Sequence, residues 1–455
     1  MGEQTMTQEY NHYFTDFQKF QENGAAKSPS WVNELRKSAL AVFEQQGFPT
    51  TKLEDWKYTN VAPIAKSPFT YSAQAETVTA DFARSLLVEG IDQYVITFVN
   101  GHFSREHSQL TGLPAGVTVK NLIEAYTTQN NLIEEHLTKY VQFQKNSFTA
   151  LNTAFMNDGV FIHIPSDTEV LKPISLLFIS TAKEGEQKAS HIRNLIIAED
   201  GAIVNFLHTF ASVEAVNTNL TNCVTEIIAK KNSIVEIVKV QRESESAFHV
   251  ENLYVHQHRE SNVHVFSLAI GGAIARNDMS VIIDGESTEC NLNGLYITSG
   301  EQLIDHHTFM HHIHPNCPSH ELFKGILMDK SRAVFNGKVY VEPEAQKTDS
   351  KQTNRNLLLS DDAVVDTKPE LEIFADDVKC THGAAVGGMN ETHSFYLKTR
   401  GISEGSARGI LTVGFAAEVT QKIRHEAMRR HVDAIVVDHL RKKFGTGNLP
   451  DIVHG

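Results

Sequence analysis

From about residue 160 the apolar residues of this chain stop recurring every three or four positions and begin to alternate, a pattern that persists to about residue 394. "VFIHIP", "GAIVNFLHTF", "NSIVEIVKV", "SNVHVFSLAI", "RAVFNGKVYV" and "LEIFADDV" are short β-branched alternations bounded by Gly, Asn, Ser and Asp. Such runs form strands, because side chains on a strand point to opposite faces in turn. Several begin at similar intervals: Ile203, Ile234 and Val263, and again Ala333 and Ala363, lie about 30 residues apart. That spacing points to a β-solenoid in which each coil stacks on the last. A large β-sandwich would give a similar pattern, and periodicity alone leaves both open.

The flanks follow a helical period. Tyr10, Tyr13, Phe14, Phe17 and Phe20 give one apolar helix face, and Trp31, Leu35, Ala39, Val42 and Phe43 a second behind an N-cap at Ser30, closed by Gly47 and Pro49. "NNLIEEHLTKYVQF" and "SFTALNTAF" read as further helices ending near Asp158 and Gly159. After residue 400, Ser403 is placed to cap "ARGILTVGFAAEV", and "HEAMRRHVDAIVVDHLRKKF" is a second amphipathic segment. The expected layout is an N-terminal helical region (1–159), a mainly β core (160–394) and a C-terminal helical region (395–455).

The charge balance is 41 basic against 55 acidic residues, net −14, which argues against general attraction to nucleic acid or to an anionic membrane. Cys223, Cys290, Cys317 and Cys380 form no Cys-x-x-Cys pair, as expected of a reducing compartment. "MGEQTMTQEY" lacks the apolar core of a signal peptide, and no apolar run approaches a membrane span of about 20 residues. The expectation is a soluble cytoplasmic protein without nucleic-acid or membrane partners. There is no Gly-x4-Gly-Lys-Ser/Thr, so any use of ATP falls to a partner, and neither His-Glu-x-x-His nor a dinucleotide-binding glycine pattern occurs.

Three constellations carry chemistry. "DHHTFMHHIHPNCPSH" places His306, His307, His311, His312, His314 and His320 beside Cys317, and His312 and His314 have same-face strand spacing. This supports one functional class, a His-rich mononuclear metalloenzyme on a β scaffold, although no carboxylate completes a ligand set at a recognisable offset. "GISEG" (401–405) fits a nucleophile elbow, but helix follows it and no parallel sheet with an acid and a histidine surrounds it, so Ser403 reads as a helix cap. In "ELEIFADDVKCTHGAAVG" the alternation puts Cys380 and His382 on one strand face, roughly 7 Å apart. That spacing suits a shared multi-atom ligand or a site completed by a partner better than direct thiol–imidazole contact. Buried packing is the alternative for a strand cysteine.

At these residues the chain resembles the SufB/SufD family, the scaffold proteins of the Suf iron–sulfur cluster assembly system. "SRAVFNGKVYV", the long stretch from "QKTDSKQTNRNLLLS" to "DVKCTHGAAVG", "FYLKTRGIS" and "GFAAEV" are similar to family segments in the same order, and "KLEDWKYTN" (52–60) is similar to the family's opening region. The Cys-x-His-Gly in "DVKCTHGA" is the SufD-like rather than the SufB-like arrangement. The resemblance implies a right-handed parallel β-helix flanked by helical regions and a non-enzymatic scaffold. It also implies pairing with a SufB-like subunit through the β-helix ends and a SufC-like ATPase bound by the C-terminal helices. By the same carry-over His382, with Cys380 beside it, lines a transient iron–sulfur cluster at the partner interface. Cys380 stays open among ligand, sulfur acceptor and core, and no residue is assigned to a reduced flavin. An unpaired solenoid edge would also let the isolated chain pair with a second copy.

Overall fold

The computed structural model describes residues 11–23, 28–72, 76–183, 185–213 and 218–444; Tyr10 lies outside them. Four strands precede the repeating core: β1 (Thr70–Tyr71), β2 (Tyr94–Val99), β3 (His102–Gln109) and β4 (Thr118–Asn121). The core then alternates between two sheets. One carries β5 (Val160–Ile164), β7 (Lys188–Ala198), β9 (Leu220–Ala229), β11 (Phe248–Gln257), β13 (Ile274–Ile283), β15 (Leu303–His312), β17 (Arg332–Val341) and β19 (Val364–Ile373) as parallel neighbours in that order. The other carries β6 (Ile174–Ser180), β8 (Ile203–Ser212), β10 (Ile234–Arg242), β12 (Asn262–Ala269), β14 (Glu289–Thr298), β16 (Pro318–Leu327), β18 (Asp349–Leu358) and β20 (Lys379–Gly387). Each strand hydrogen-bonds to the strand two positions away in sequence, so the chain winds as a parallel β-solenoid and the sandwich alternative falls away.

The corners repeat as strictly as the strands. At the corner that follows each strand of the first sheet from β7 to β17, one residue sits in the left-handed region: Gly201, Asn232, Glu260, Ser287, Asn316 and Lys347, with φ between 57° and 70°. Each donates its N–H to the carbonyl just before the next corner, as in Asn232 to Arg259 and Lys347 to Asp377. Only the first of these is glycine, which hides the repeat from the sequence. The ~30-residue spacing marks the coil but not its register: Ile234 pairs with Asn262 rather than Val263, and Ala333 with Val365 rather than Ala363.

Inward side chains, among them Val235, Ile237, Val263, Val265 and Leu292, fill the lumen. The outward faces are covered too. Phe148, Leu151 and Phe155 of the helix Ser147–Phe155 pack with Phe17, Phe20 and Phe43 on Leu220, Phe248 and Val250. Ala416, Val419, Met428, Val432 and Leu440 of the two last helices, Glu404–Thr420 and Glu426–Phe444, cover Val238, Val240, Leu268 and Ile297. Strands buried on both faces read as continuous apolar runs such as "ISLLFIS".

Several expectations shift. The helix expected over 130–143 ends at His136, because Thr138 adopts φ 65° and its N–H is held by both carboxylate oxygens of Glu226 at 2.9 and 3.0 Å. The helix Ser30–Gln46 starts one residue early, with Pro29 at the cap position, whereas Ser403 caps its helix through Ser406 N–H as expected. Within 1–159 the strands β2 to β4 stand beside the helices and extend both sheets. "KLEDWKYTN" lies on the outer face of the first sheet: Trp56 stacks on Phe148, the Arg276 guanidinium sits 4.3 Å from the Trp56 ring, and Glu54 pairs with Lys368 of β19 at 2.8 Å. No helix among the described residues is long and apolar enough to cross a membrane.

Candidate functional site

"ELEIFADDVKCTH" is two strands rather than one. β19 stops at Ile373, and the acidic pair Asp376–Asp377 makes the final corner, where Asp377 accepts from Lys347 N–H and donates its own N–H to the Gln346 side chain at 2.9 Å. Cys380 and His382 both fall on β20, the last strand of its sheet, paired on one edge with β18. Their register partners are Ser350 and Gln352, so both belong to columns that continue the buried lumen positions below them.

The two columns are polar. Under Cys380, Ser319 Oγ donates to Ser350 Oγ at 2.9 Å and meets His312 Nε2 at 2.9 Å. His312 is fully buried, and burial pushes its imidazole down to about 4, which keeps it neutral. Under His382, Gln352 Nε2 and Thr308 Oγ1 each donate to Glu321 Oε2 at 2.9 Å, while Glu321 Oε1 has no partner among the described residues. Glu321 is 3% exposed without a cation in contact, and burial pushes its carboxyl up to about 7. Gly337, across the lumen, is required here, since a Cβ would collide with the Gln352 amide.

His382 itself is exposed, and Cys380 is half-buried against the lumen core. Burial pushes the Cys380 thiol up, with a Ser350 backbone hydrogen bond acting the other way. The other three cysteines are fully buried. On β19 and β20 and just beyond β19, Val364, Ile373, Phe374 and Val386 are exposed, and the helix that follows β20, Glu391–Thr399, buries no residue, leaving Phe395 68% and Tyr396 57% exposed. A thiol and an imidazole thus share one face of an edge strand, above a buried polar floor in which Glu321 Oε1 and Gln352 Oε1 have no partner among the described residues. Chemically these are two side chains of metal-ligating type on the last strand of its sheet, whose edge away from β18 pairs with no strand among the described residues.

The histidine-rich segment is dispersed by the same alternation. His306 and His312 point inward, whereas His307 pairs with Asp305 at 3.1 Å and His311 with Glu342 at 2.9 Å. β15 ends at His312, so His314 lies in the corner, 3.1 Å from Asp284, and does not share its strand. His320 is exposed and Cys317 is buried, its sulfur 3.2 Å from Gly285 O. Among the described residues no group of three or more His, Cys, Asp or Glu side chains is arranged to hold a metal ion. The residues missed from sequence are Ser319, Glu321, Ser350 and Gln352. Their only signal is the register that stacks them beneath Cys380 and His382.

Comparison with known proteins agrees with this architecture. Residues 178–415 match the family described as "SUF system FeS cluster assembly, SufBD core domain", and residues 5–176 match "SufBD protein N-terminal region". An iron–sulfur cluster assembly SufBD family protein of Synechocystis is 30% identical over 398 residues, 85% of this chain and 86% of its own length. The iron–sulfur cluster assembly protein SufD of Escherichia coli is 29% identical, covering 92% of this chain and 95% of its own length. The SufD of Bacillus subtilis is 26% identical, covering 95% and 97%. The chain belongs to the SufBD family of iron–sulfur cluster assembly proteins.

Proposed function

We propose that this member of the SufBD family acts as the SufD-type scaffold subunit, pairing through its β20 end with a SufB-like subunit so that a nascent iron–sulfur cluster forms between them. His382 supplies an imidazole ligand from this side, with Cys380 as a second ligand or a sulfur acceptor. The observation that carries the reading is the coincidence of the two donors with the one bare coil end. An edge strand with an exposed imidazole, on a coil that also exposes Val364, Phe374 and Val386, offers a surface for another protein to cover.

Iron and sulfide are the cargo here, and an interface site suits cargo. A closed ligand set within one chain would retain the product, whereas ligands divided between two chains release it when the chains move apart. The chain itself turns nothing over in this account. ATP hydrolysis belongs to a SufC-like partner held by the C-terminal helices, in keeping with the absent phosphate-binding motif in the sequence.

The test is anaerobic co-expression with the SufB-like and SufC-like partners, followed by iron and sulfide analysis of the purified complex. His382→Ala is expected to leave the complex assembled and to lose most of the bound iron and sulfide. Cys380→Ala separates its two roles: loss of both elements marks a ligand, and loss of sulfide delivery alone marks a sulfur acceptor. A His382→Ala complex that loads and matures clusters normally would sink the assignment.

A further inference from the structure

A cavity of about 970 Å³, remote in sequence from β20, is lined by the helix Glu426–Phe444, by residues among 85–89 and by the chain at the ends of β8, β10 and β12. Its volume lies in the range of small-molecule sites. Leu87, Val88, Ile270 and Ile435 give it an apolar wall.

Most of its charges are already matched. Asp438 pairs with Lys442 at 2.7 Å, Glu245 with Lys443 at 2.8 Å, and Glu243 turns into the lumen to meet His249 at 2.8 Å. Arg430 pairs with Glu426 at 3.3 Å, which leaves the Glu89 carboxylate and, as the one unmatched cation among the described lining residues, Arg242. It ends β10, is half-buried, and makes no hydrogen bond or ion pair among the described residues; Asp438 acts on it only at longer range. The imidazoles beside it do not serve as counter-ions. Burial and then Arg242 push His431 down to about 4, burial pushes His439 down to about 4 as well, and His439 Nε2 is buried without a partner among the described residues.

A half-buried guanidinium with no acceptor among the described residues keeps its donors available to a ligand in the cleft. Its planar fork matches an oxyanion with two parallel hydrogen bonds. We infer that this cleft binds a small organic oxyanion, a phosphate or carboxylate on an apolar body, with Arg242 as the anchor and His431 and His439 as neutral hydrogen-bonding neighbours. The apolar wall takes the body of the ligand. This site is independent of the cluster site and of the pairing proposed for it.

Calorimetric titration of the full chain with phenyl phosphate, benzoate and inorganic phosphate tests it. One equivalent of phenyl phosphate or of benzoate is expected to bind, the stronger of the two identifying the head group. Inorganic phosphate, lacking the apolar body, should bind at least about tenfold more weakly. Arg242→Gln is expected to weaken the preferred probe by about tenfold to a hundredfold, with a melting temperature equal to or above that of the native chain, because an unpaired charge has been removed. The proposal is overturned if neither organic probe binds, as for a cleft that receives a protein segment. It is equally overturned if Arg242→Gln binds as well as the native chain, or if the variant melts several degrees lower and so reveals a structural role for the guanidinium.

Discussion

At the N-terminal end of the solenoid, β5 and β6 meet β4 and β2, the β2–β3 hairpin extends the sheet, and Phe103, Leu110 and Leu113 close over the lumen. At the other end β19 and β20 pair with no further strand among the described residues, and β20 is exposed along almost its whole length. The strand pattern and the register are the same at both ends. The difference teaches that the bare end is not a weak fold but an uncovered one: a repeat array needs a cap, the described residues supply one at the N-terminal end, and the proposed pairing would supply the other. It also explains why the two candidate ligands are the most accessible members of their columns. The lumen positions below them, Ser350 and Gln352, are buried by the coil above.

The comparison breaks first on stability. Arg193 of β7 and Glu226 of β9 form a fully buried ion pair at 2.6 Å between neighbouring strands of the first sheet near the capped end, and Glu226 also holds Thr138 N–H. Glu226→Ala leaves Arg193 buried without its partner and should cost about 3–5 kcal/mol in denaturant unfolding. If it costs less than about 1 kcal/mol, the capped end is not the stable anchor described here.

Glu321 gives the next largest effect, and one that depends on pH. The native state holds its proton more tightly, with a folded value of about 7 against 4.5 for an ordinary glutamate. The resulting stabilisation is complete below the unfolded value, declines as pH rises, and is gone above about 7. Glu321→Gln should therefore gain on the native chain by up to about 3 kcal/mol between pH 5 and pH 8. Parallel melting curves for the two proteins across that range would show the floor of the site to be ordinary packing.

Accessibility separates the ends more gently. Under native conditions a small alkylating reagent should modify one cysteine per chain, Cys380, slowly at neutral pH and faster as pH rises, because its thiol is pushed up. Cys380→Ser should take up none; modification of a buried cysteine at a similar rate would mean that the lumen opens. The smallest effect is on the stability of the isolated chain by His382→Ala, expected within about 0.5 kcal/mol for an exposed side chain. A loss comparable to that of Glu226→Ala would make His382 a structural residue.

Much of this was legible in the residues. The period change at residue 160, the coil spacing, the cap at Ser403 and the sharing of one face by Cys380 and His382 follow from local rules that the structure obeys. What the sequence hid is what depends on register. A one- or two-residue drift in coil length between Ile234 and Asn262, or Ala333 and Val365, leaves the period visible and the pairing unreadable. Ser350 and Gln352 look like ordinary polar strand residues until the pairing sets them under β20. The corner at Asp376–Asp377 was invisible for a related reason: its coil neighbours are Asn, Glu, Ser and Lys in left-handed conformation, without the glycine that announces such a turn. The histidine-rich segment misled in the opposite sense, because dense composition became scattered geometry once alternate residues faced opposite ways.

Amide hydrogen exchange across β18 and β20 tests the central claim most directly, with the chain measured alone and in the complex with its SufB-like partner. The account predicts that β18 is protected in both states, and that the β20 amides on the edge away from β18 exchange quickly in the isolated chain and slow by at least about tenfold on pairing. Exchange at β20 that is already slow in the monomeric chain, or unchanged when the partner is bound, would contradict the view that this end of the solenoid is completed by another protein.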